Sequence, residues 1–327
     1  MSGSVAEEYR CGPLGVRITG FDCAEFRRVR RTLDIYSARW SVCSKGYKVD
    51  LLLGAPHPGM LAGDWLKTAR THVDSVPQGL RATCLSGLHG CYDHSDSRWT
   101  ITIPPGPADI WHLTDVDDLV SLVLTTGWRE LGWVPVHAGA VVRNGSCVLL
   151  CAPSGGGKTT LATALLLRGW DSLGDDKLLL RCVPGASPEA RALVHSLNLF
   201  PHSVRWFPEL EGIKGLPMSG VWTDKRRVPM AMIRAGSTVQ VASPTHIVRV
   251  VRRTGTRGVR VISLTSQETL DLFIRQTVIP GDHELAGVIL GTIAGTAAAS
   301  RGLCVEVGDD AYDVASHLDV FEQAICA

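Results

Sequence analysis

Lys158 and Thr159 stand directly behind three consecutive glycines, and two adjacent aspartates, Asp175 and Asp176, follow after one short apolar stretch. Residues 152–159, APSGGGKT, fit the pattern G-x-x-x-x-G-K-[ST], with Ala152 in place of the first glycine at a position that mainly requires little bulk. Gly155, Gly156 and Gly157 let the backbone take φ values that a Cβ forbids, so successive N–H groups can converge on one anion. Ser154 and Thr160 flank them in the same binding set. Lys158 reaches the β- and γ-phosphates as a flexible point charge. Thr159 offers its hydroxyl to Mg²⁺, and the helix that follows directs its positive end at the nucleotide. The expected ligands are therefore ATP and Mg²⁺.

Such a loop needs a strand before it and a helix behind it. Residues 140–142 and 146–151 are β-prone and apolar, and Arg143-Asn144-Gly145 between them reads as a hairpin turn. Leu161, Ala162, Ala164, Leu165 and Leu166 carry helical spacing, and Gly169 stands where a glycine closes a helix. A helix of about ten residues carries the chain about 15 Å from the phosphates. About six extended residues bring it back. Asp175 and Asp176 in GDDKLLL can thus both return to the γ-phosphate, one to bind Mg²⁺ and one to accept a hydroxyl proton. No Walker-B strand lies at the usual long spacing. Upstream, His137 in VPVHAGAVV precedes the strand that leads into the hairpin.

His137 with two small residues behind it, the loop APSGGGKT and the later GDD together resemble the HPr kinase/phosphorylase family and its HPr-kinase-related relatives. The resemblance spans roughly residues 117–181, and more loosely the rest of the C-terminal half. It implies a phosphotransferase fold shared with phosphoenolpyruvate carboxykinase. Position by position, it makes His137 the active-site histidine, Lys158 and Thr159 the nucleotide and Mg²⁺ contacts, Asp175 the catalytic base and Asp176 the second acid near the metal. The regulatory enzyme's E-x-R-G loop is not reproduced, since the nearest string, Glu209-Leu210-Glu211-Gly212, has an acid in place of the arginine. The shorter related kinases are closer; some phosphorylate a serine of ribosomally made peptides such as lasso peptides, others a small molecule. The resemblance therefore implies an ATP-dependent kinase with a hydroxyl-bearing peptide or small-molecule acceptor. The alternatives are a regulatory protein kinase/phosphorylase and an ATP-binding regulator that transfers nothing.

The fold class expected is α/β: a P-loop domain over residues 106–327, preceded by a smaller, mainly β lobe over residues 1–105. In the lobe, GVRITG, RWSVCSKGYKVDLLLG, GLRATCLSG and SRWTITIPPG read as strands, with one helix near residues 63–73. Arg27, Arg28, Arg30 and Arg31 read as a solvated basic face. Cys84, His89, Cys91 and His94 lie close together but without a known zinc spacing. The proline run 104–107 marks the boundary, and a helix from near Asp115 to Gly127 or Gly132 is expected to pack on the loop-bearing sheet.

Beyond the aspartates, LLLRCVP and ALVHSLNLF read as strands. Residues 201–231 form a long loop-rich stretch of the kind that binds acceptors, ending on Lys225 and Arg226, candidate cations for the transferring phosphoryl group, Lys225 first. SPTHIVRVVRRTGTRGVRVISL reads as an antiparallel hairpin around Gly255. LAGVILGTIAGTAAAS reads as a buried helix whose Gly287, Gly291 and Gly295 allow close packing, and Gly308-Asp309-Asp310 as a turn before a final helix.

The chain has 327 residues, 45% apolar and 20% charged, with a net formal charge of +1. That gives no global attraction to nucleic acid or anionic membrane. The N-terminus lacks the basic start and apolar core of a secretory signal, and ten cysteines occur without a C-x-x-C pair, so a cytoplasmic protein with free thiols is expected. Homo-oligomerisation stays open.

Overall fold

The computed structural model describes residues 5–36, 45–53, 71–104, 110–220, 223–280, 282–313 and 315–326. The chain divides into two compact units, Met1–Leu131 and Gly132–Ala327.

The first unit contains β1 (Val5–Cys11), β2 (Leu14–Gly20), α1 (Ala24–Ile35), β3 (Lys45–Leu53), β4 (Thr71–Val76), β5 (Gly79–Cys84), β6 (His89–Asp93), β7 (Arg98–Ile103) and α2 (Ile110–Glu130). Its strands form one sheet in the order β1-β2-β3-β7-β6-β5-β4. The β2–β3 pair is parallel, which requires a crossover, and α1 supplies it. The arginines of FRRVRRT lie on this helix. Arg28 forms a two-pronged pair with Asp117 of α2, and Arg27 and Arg30 pair with Asp22 and Glu7.

The helix expected near residues 63–73 meets a strand instead, since 71–73 open β4; the remainder of that expectation lies outside the described residues. Helix α2 starts at Ile110, earlier than the acidic signal suggested, and packs on α1, β2 and β4. Its Trp128 is buried and donates Nε1–H to the Cys11 carbonyl at 2.9 Å. Helix α2 thus belongs to the first unit, whose boundary falls after Leu131, downstream of the proline run. Among the described residues, no group of three or more His, Cys, Asp or Glu is arranged to hold a metal ion. No helix there is long and apolar enough to cross a membrane.

The second unit contains β8 (Val134–Val136), β9 (Gly139–Arg143), β10 (Ser146–Cys151), α3 (Lys158–Leu167), β11 (Asp171–Gly174), β12 (Leu178–Arg181), β13 (Glu189–Ala192), β14 (Ser196–Leu199), β15 (Met218–Gly220), β16 (Thr223–Pro229) and α4 (Met230–Ile233). After these come β17 (Val241–Ala242), β18 (His246–Arg252), β19 (Val259–Ser263), α5 (Ser266–Ile274), α6 (His283–Ala298), β20 (Arg301–Val307) and α7 (Ala315–Cys326). The main sheet runs β11-β9-β10-β18-β20-β19, with two smaller sheets, β17-β13-β12-β8 and β14-β16-β15.

Strand β10 shows why the sheet is covered on both faces. Val148 and Leu150 point into one core with Leu161 and Leu165 of α3 and Phe321 of α7. Cys147, Leu149 and Cys151 point into the other with Phe273 of α5 and Ile289 and Ile293 of α6. Period-two side chains without a polar face are what a strand between two helical layers requires. Each fully buried Leu or Phe contributes about 1.5–3 kcal/mol to holding the layers together.

Two expectations are corrected here. β18 and β19 are not a hairpin: β20 lies between them, parallel to β18 and antiparallel to β19. Leu303, Val305 and Val307 share one buried face of β20, which lies between the two strands, while Glu306 on its other face accepts from Arg253 at 2.8 Å. In α6 only Gly295 makes a close approach, where a Cβ would meet Cys182 Sγ at 2.6 Å. Gly287 and Gly291 lie on the exposed side, because the buried residues are Ile289, Thr292, Ile293 and Thr296.

Candidate active site

The phosphate-type loop is launched by a tight hairpin. Asn144 and Gly145 both take positive φ, 50° and 80°, as a two-residue turn between right-twisted strands demands, and β9 and β10 pair in register from Ser146–Arg143 onward. Beyond β10, Gly155 and Gly157 have φ of 77° and 96°. Gly156 is sterically fixed, since a Cβ there would lie 2.7 Å from the Cβ of Ala152. The loop then enters α3, where the Leu161 N–H donates to the Gly157 carbonyl at 2.9 Å, and the helix ends before Gly169 at φ 94°.

Lys158 folds back over this loop. Its ammonium donates to the Ala152 carbonyl at 2.7 Å and to His137 Nε2 at 2.9 Å. His137 Nδ1 in turn lies 3.0 Å from the Asp176 carbonyl and 3.2 Å from its carboxylate. One tautomer satisfies both sides: a proton on Nδ1 is donated to Asp176, and the bare Nε2 accepts from Lys158. Burial holds the His137 pKa below its ordinary value, which keeps the ring neutral at pH 7 and fits that tautomer. Burial also lowers the pKa of Lys158, opposed by the carboxylates of Asp176 and Asp175. The backbone of His137 is fixed separately, its N–H donating to the Gln276 carbonyl at 2.7 Å.

The two aspartates are presented differently. Lys177 N–H bonds the Asp175 carbonyl at 2.8 Å across Asp176, whose φ is 69°. This positive-φ γ-turn is rare and strained, and such strain concentrates at functional sites. Asp175 is 2% exposed, behind the cleft wall. The Thr159 hydroxyl donates to its carboxylate, 3.0 and 3.1 Å from the two oxygens, and Asn198 N–H donates at 3.3 Å. Burial, then the neighbouring Asp176 charge, pushes the Asp175 carboxyl up to about 6, against the pull of Asn198, Thr159 and Lys158. Gly139 makes room, because a Cβ there would lie 3.3 Å from Asp175 Oδ1. Asp176 is exposed and faces the cleft.

The cleft encloses about 270 Å³. His137, Asp176, Lys225 and every candidate from Ser154 to Thr160 line it. Lys225 Nζ sits 5.1 Å from the centre of the Phe200 ring. Arg226 does not line the cleft; alternation along β16 turns it away, and its guanidinium donates to the Leu216 carbonyl at 3.2 Å. The stretch that read as loop-rich is largely structured, with 3-10 turns at Pro201–Arg205 and Pro208–Gly215 followed by β15 and β16. Glu209 and Glu211 are exposed on the second turn, outside the cleft lining.

Sequence reasoning missed Asn198, whose contribution is a backbone N–H and carries no side-chain signal. It also missed a wall formed by Trp206, Val250, Arg252, Val307 and Tyr312.

The donor set fits a triphosphate and a divalent cation. A glycine cradle, one buried ammonium, the Thr159 hydroxyl and the Asp176 carboxylate line one opening, with Asp175 bonded behind Thr159, a set that includes the hard oxygen donors Mg²⁺ accepts. Residues 108–201 match the family described as SynChlorMet cassette protein ScmC, less than a third of the chain but a span that includes His137, the loop and both aspartates. No curated protein matches the chain. Among solved structures, the HPr(Ser) kinase/phosphatase from Coxiella burnetii is similar at a TM-score of 0.32 and 10% identity, over 59% of this chain and 99% of that one. The functional reading therefore rests on the site's own residues.

Proposed function

We propose that the chain is a kinase that transfers the γ-phosphoryl group of ATP to a hydroxyl, the acceptor being a serine of a peptide, such as a ribosomally made precursor, or a related small molecule. The observation that carries this reading is the junction of loop and acids: Thr159 is bonded to Asp175, and Lys158 is linked through His137 to Asp176. A loop that merely turned the chain would have no reason to join its lysine and hydroxyl to two carboxylates.

The loop amides and Lys158 hold the triphosphate, and Thr159 with Asp176 holds Mg²⁺. Mg²⁺, when bound, would supply neutralising charge for the transferring phosphoryl group. Asp175 accepts the proton of the acceptor hydroxyl, a role that requires its carboxylate, covered here by Thr159, to be uncovered when the substrates bind. A carboxyl raised to about 6 remains ionised at pH 7 and is a better base than an ordinary aspartate. His137 stays neutral and keeps Lys158 and Asp176 aligned, while Lys225 offers a cation at the cleft for charge on the moving phosphoryl group.

The test is mass spectrometry of hydroxyl-bearing peptides and small molecules incubated with ATP, Mg²⁺ and protein. Asp175→Asn is expected to abolish transfer while nucleotide binding persists. If Asp175→Asn instead removes Mg²⁺-dependent binding and Asp176→Asn only slows transfer, the two roles are exchanged. ATP that stays intact with every acceptor refutes the kinase reading.

A further inference from the structure

The cleft has two chemically different ends, and the sheet order separates them. Asp175 and Asp176 follow β11, next to β9 on one side of the loop-bearing β10, whereas β18 and β20 lie on the other side. Lys158 and Thr159 take the β- and γ-phosphates, and Thr159 is already bonded to Asp175, so the terminal phosphate faces the aspartates. The rest of a nucleotide must leave toward β18 and β20.

That direction leads to the wall with no assigned role. Val250 and Arg252, two apart on β18, share a face, and Arg252 pairs in register with Val307 of β20. The wall is continuous with the loop, since a Cβ on Gly157 would meet Val250 Cγ1 at 3.7 Å. Above it, the Trp206 and Tyr312 rings meet edge to face, 5.6 Å apart at 66°. The Arg205 guanidinium lies over the Trp206 ring, 3.9 Å from its centre, and the Arg252 guanidinium lies 6.0 Å from that centre, so one ring face is already covered and a base would take the other.

The Gly308-Asp309-Asp310 turn is what holds this corner. Asp309 and Asp310 accept from the Gly255 and Gly258 N–H groups at 2.7 and 2.6 Å, fixing the segment that carries Tyr312. A Cβ on Gly308 would collide with the Thr256 carbonyl at 2.7 Å. Aromatic faces beside a guanidinium over an apolar floor are the chemistry that receives a nucleobase.

We propose that Trp206, Tyr312 and Arg252 form the nucleobase seat of this cleft, an assignment that rests on the triphosphate reading of the loop. The acceptor takes the opposite end, on the side of the aspartates, where Asp176 lines the cleft.

The experiment is calorimetric titration of the full chain with Mg·ATP and, separately, with Mg·tripolyphosphate, which has no base. Trp206→Ala is expected to weaken ATP about 5- to 150-fold, the range that loss of one stacked base produces, and to leave tripolyphosphate within twofold of wild type. Trp206→Phe is expected to restore most of the ATP affinity, and Arg252→Gln to lower it selectively. ATP binding unchanged in Trp206→Ala and Arg252→Gln overturns the proposal. So does equal weakening of both ligands, or a raised acceptor KM with ATP affinity intact. A wild-type chain that binds neither ligand overturns the triphosphate reading itself, and the base seat with it.

Discussion

Replacing Asp175 by asparagine should stabilise the fold at alkaline pH while removing the proposed catalytic base. The carboxyl is 2% exposed, and its pKa is raised from 3.8 to about 6, chiefly by burial. At 1.36 kcal/mol per pH unit, ionising it in the folded chain costs on the order of 3 kcal/mol. The folded pKa lies above the unfolded one, so the folded chain binds more protons between about pH 4 and pH 6. Stability therefore falls as pH rises through that window and stays flat above it.

Asparagine is neutral throughout and escapes this loss. Its single carbonyl oxygen cannot replace both carboxylate oxygens toward Thr159 and Asn198, a deficit of about 1 kcal/mol. The net effect is a gain of about 2 kcal/mol at pH 8 and a loss of about 1 kcal/mol at pH 4. For a unit of this size, that is a Tm about 4–8 °C higher at pH 8 and about 2–4 °C lower at pH 4. Scanning calorimetry in EDTA at both pH values measures it. A Tm lowered equally at the two pH values would refute the reasoning, because it would mean the carboxylate is at ease where it lies.

Other variants separate the parts of the site. Lys158→Met removes the ammonium from the loop and should weaken tripolyphosphate binding about 10- to 150-fold by calorimetry, the range of one charge-assisted hydrogen bond; a change under threefold contradicts its role. Gly156→Ala drives a methyl group to 2.7 Å from Ala152 Cβ and should cost about 1–3 kcal/mol of stability in denaturant melts, with tripolyphosphate affinity falling alongside; an unaffected loop would mean that the cradle is loose. Glu322 accepts from Trp170 Nε1 at 2.8 Å and pairs with Arg168 and Arg143. Glu322→Ala should therefore cost about 2–3 kcal/mol of stability and leave ATP affinity unchanged, a control for damage remote from the cleft.

The parts of this site that were legible in the sequence are those encoded locally. Asn144-Gly145 dictates its turn, the glycines with Lys158 and Thr159 dictate the loop, and Gly169 closes the helix. What was not legible depends on distant pairing. Alternating apolar and basic residues suit a hairpin as well as two strands flanking a third, so the insertion of β20 between β18 and β19 left no local trace. The glycines of α6 share a periodicity that fits either side of a helix, and Ile289 and Ile293 decided which side is buried. Trp206, Arg252 and Tyr312 lie far apart in the chain and meet only through the 3-10 turns and the tied Asp309-Asp310 segment. The γ-turn at Asp176 has no residue-type signature, yet it turns one carboxylate to the cleft and leaves the other behind Thr159.

The central claim is that a divalent ion joins a bound triphosphate to the aspartate pair. Calorimetric ATP affinity with Mg²⁺ and with EDTA, in wild type and Asp176→Asn, tests it most directly. The account predicts that Mg²⁺ tightens ATP at least about tenfold in wild type and by less than about threefold in Asp176→Asn, a difference of about 0.7 kcal/mol or more. Equal tightening in both chains would contradict it, because the metal would then owe nothing to Asp176.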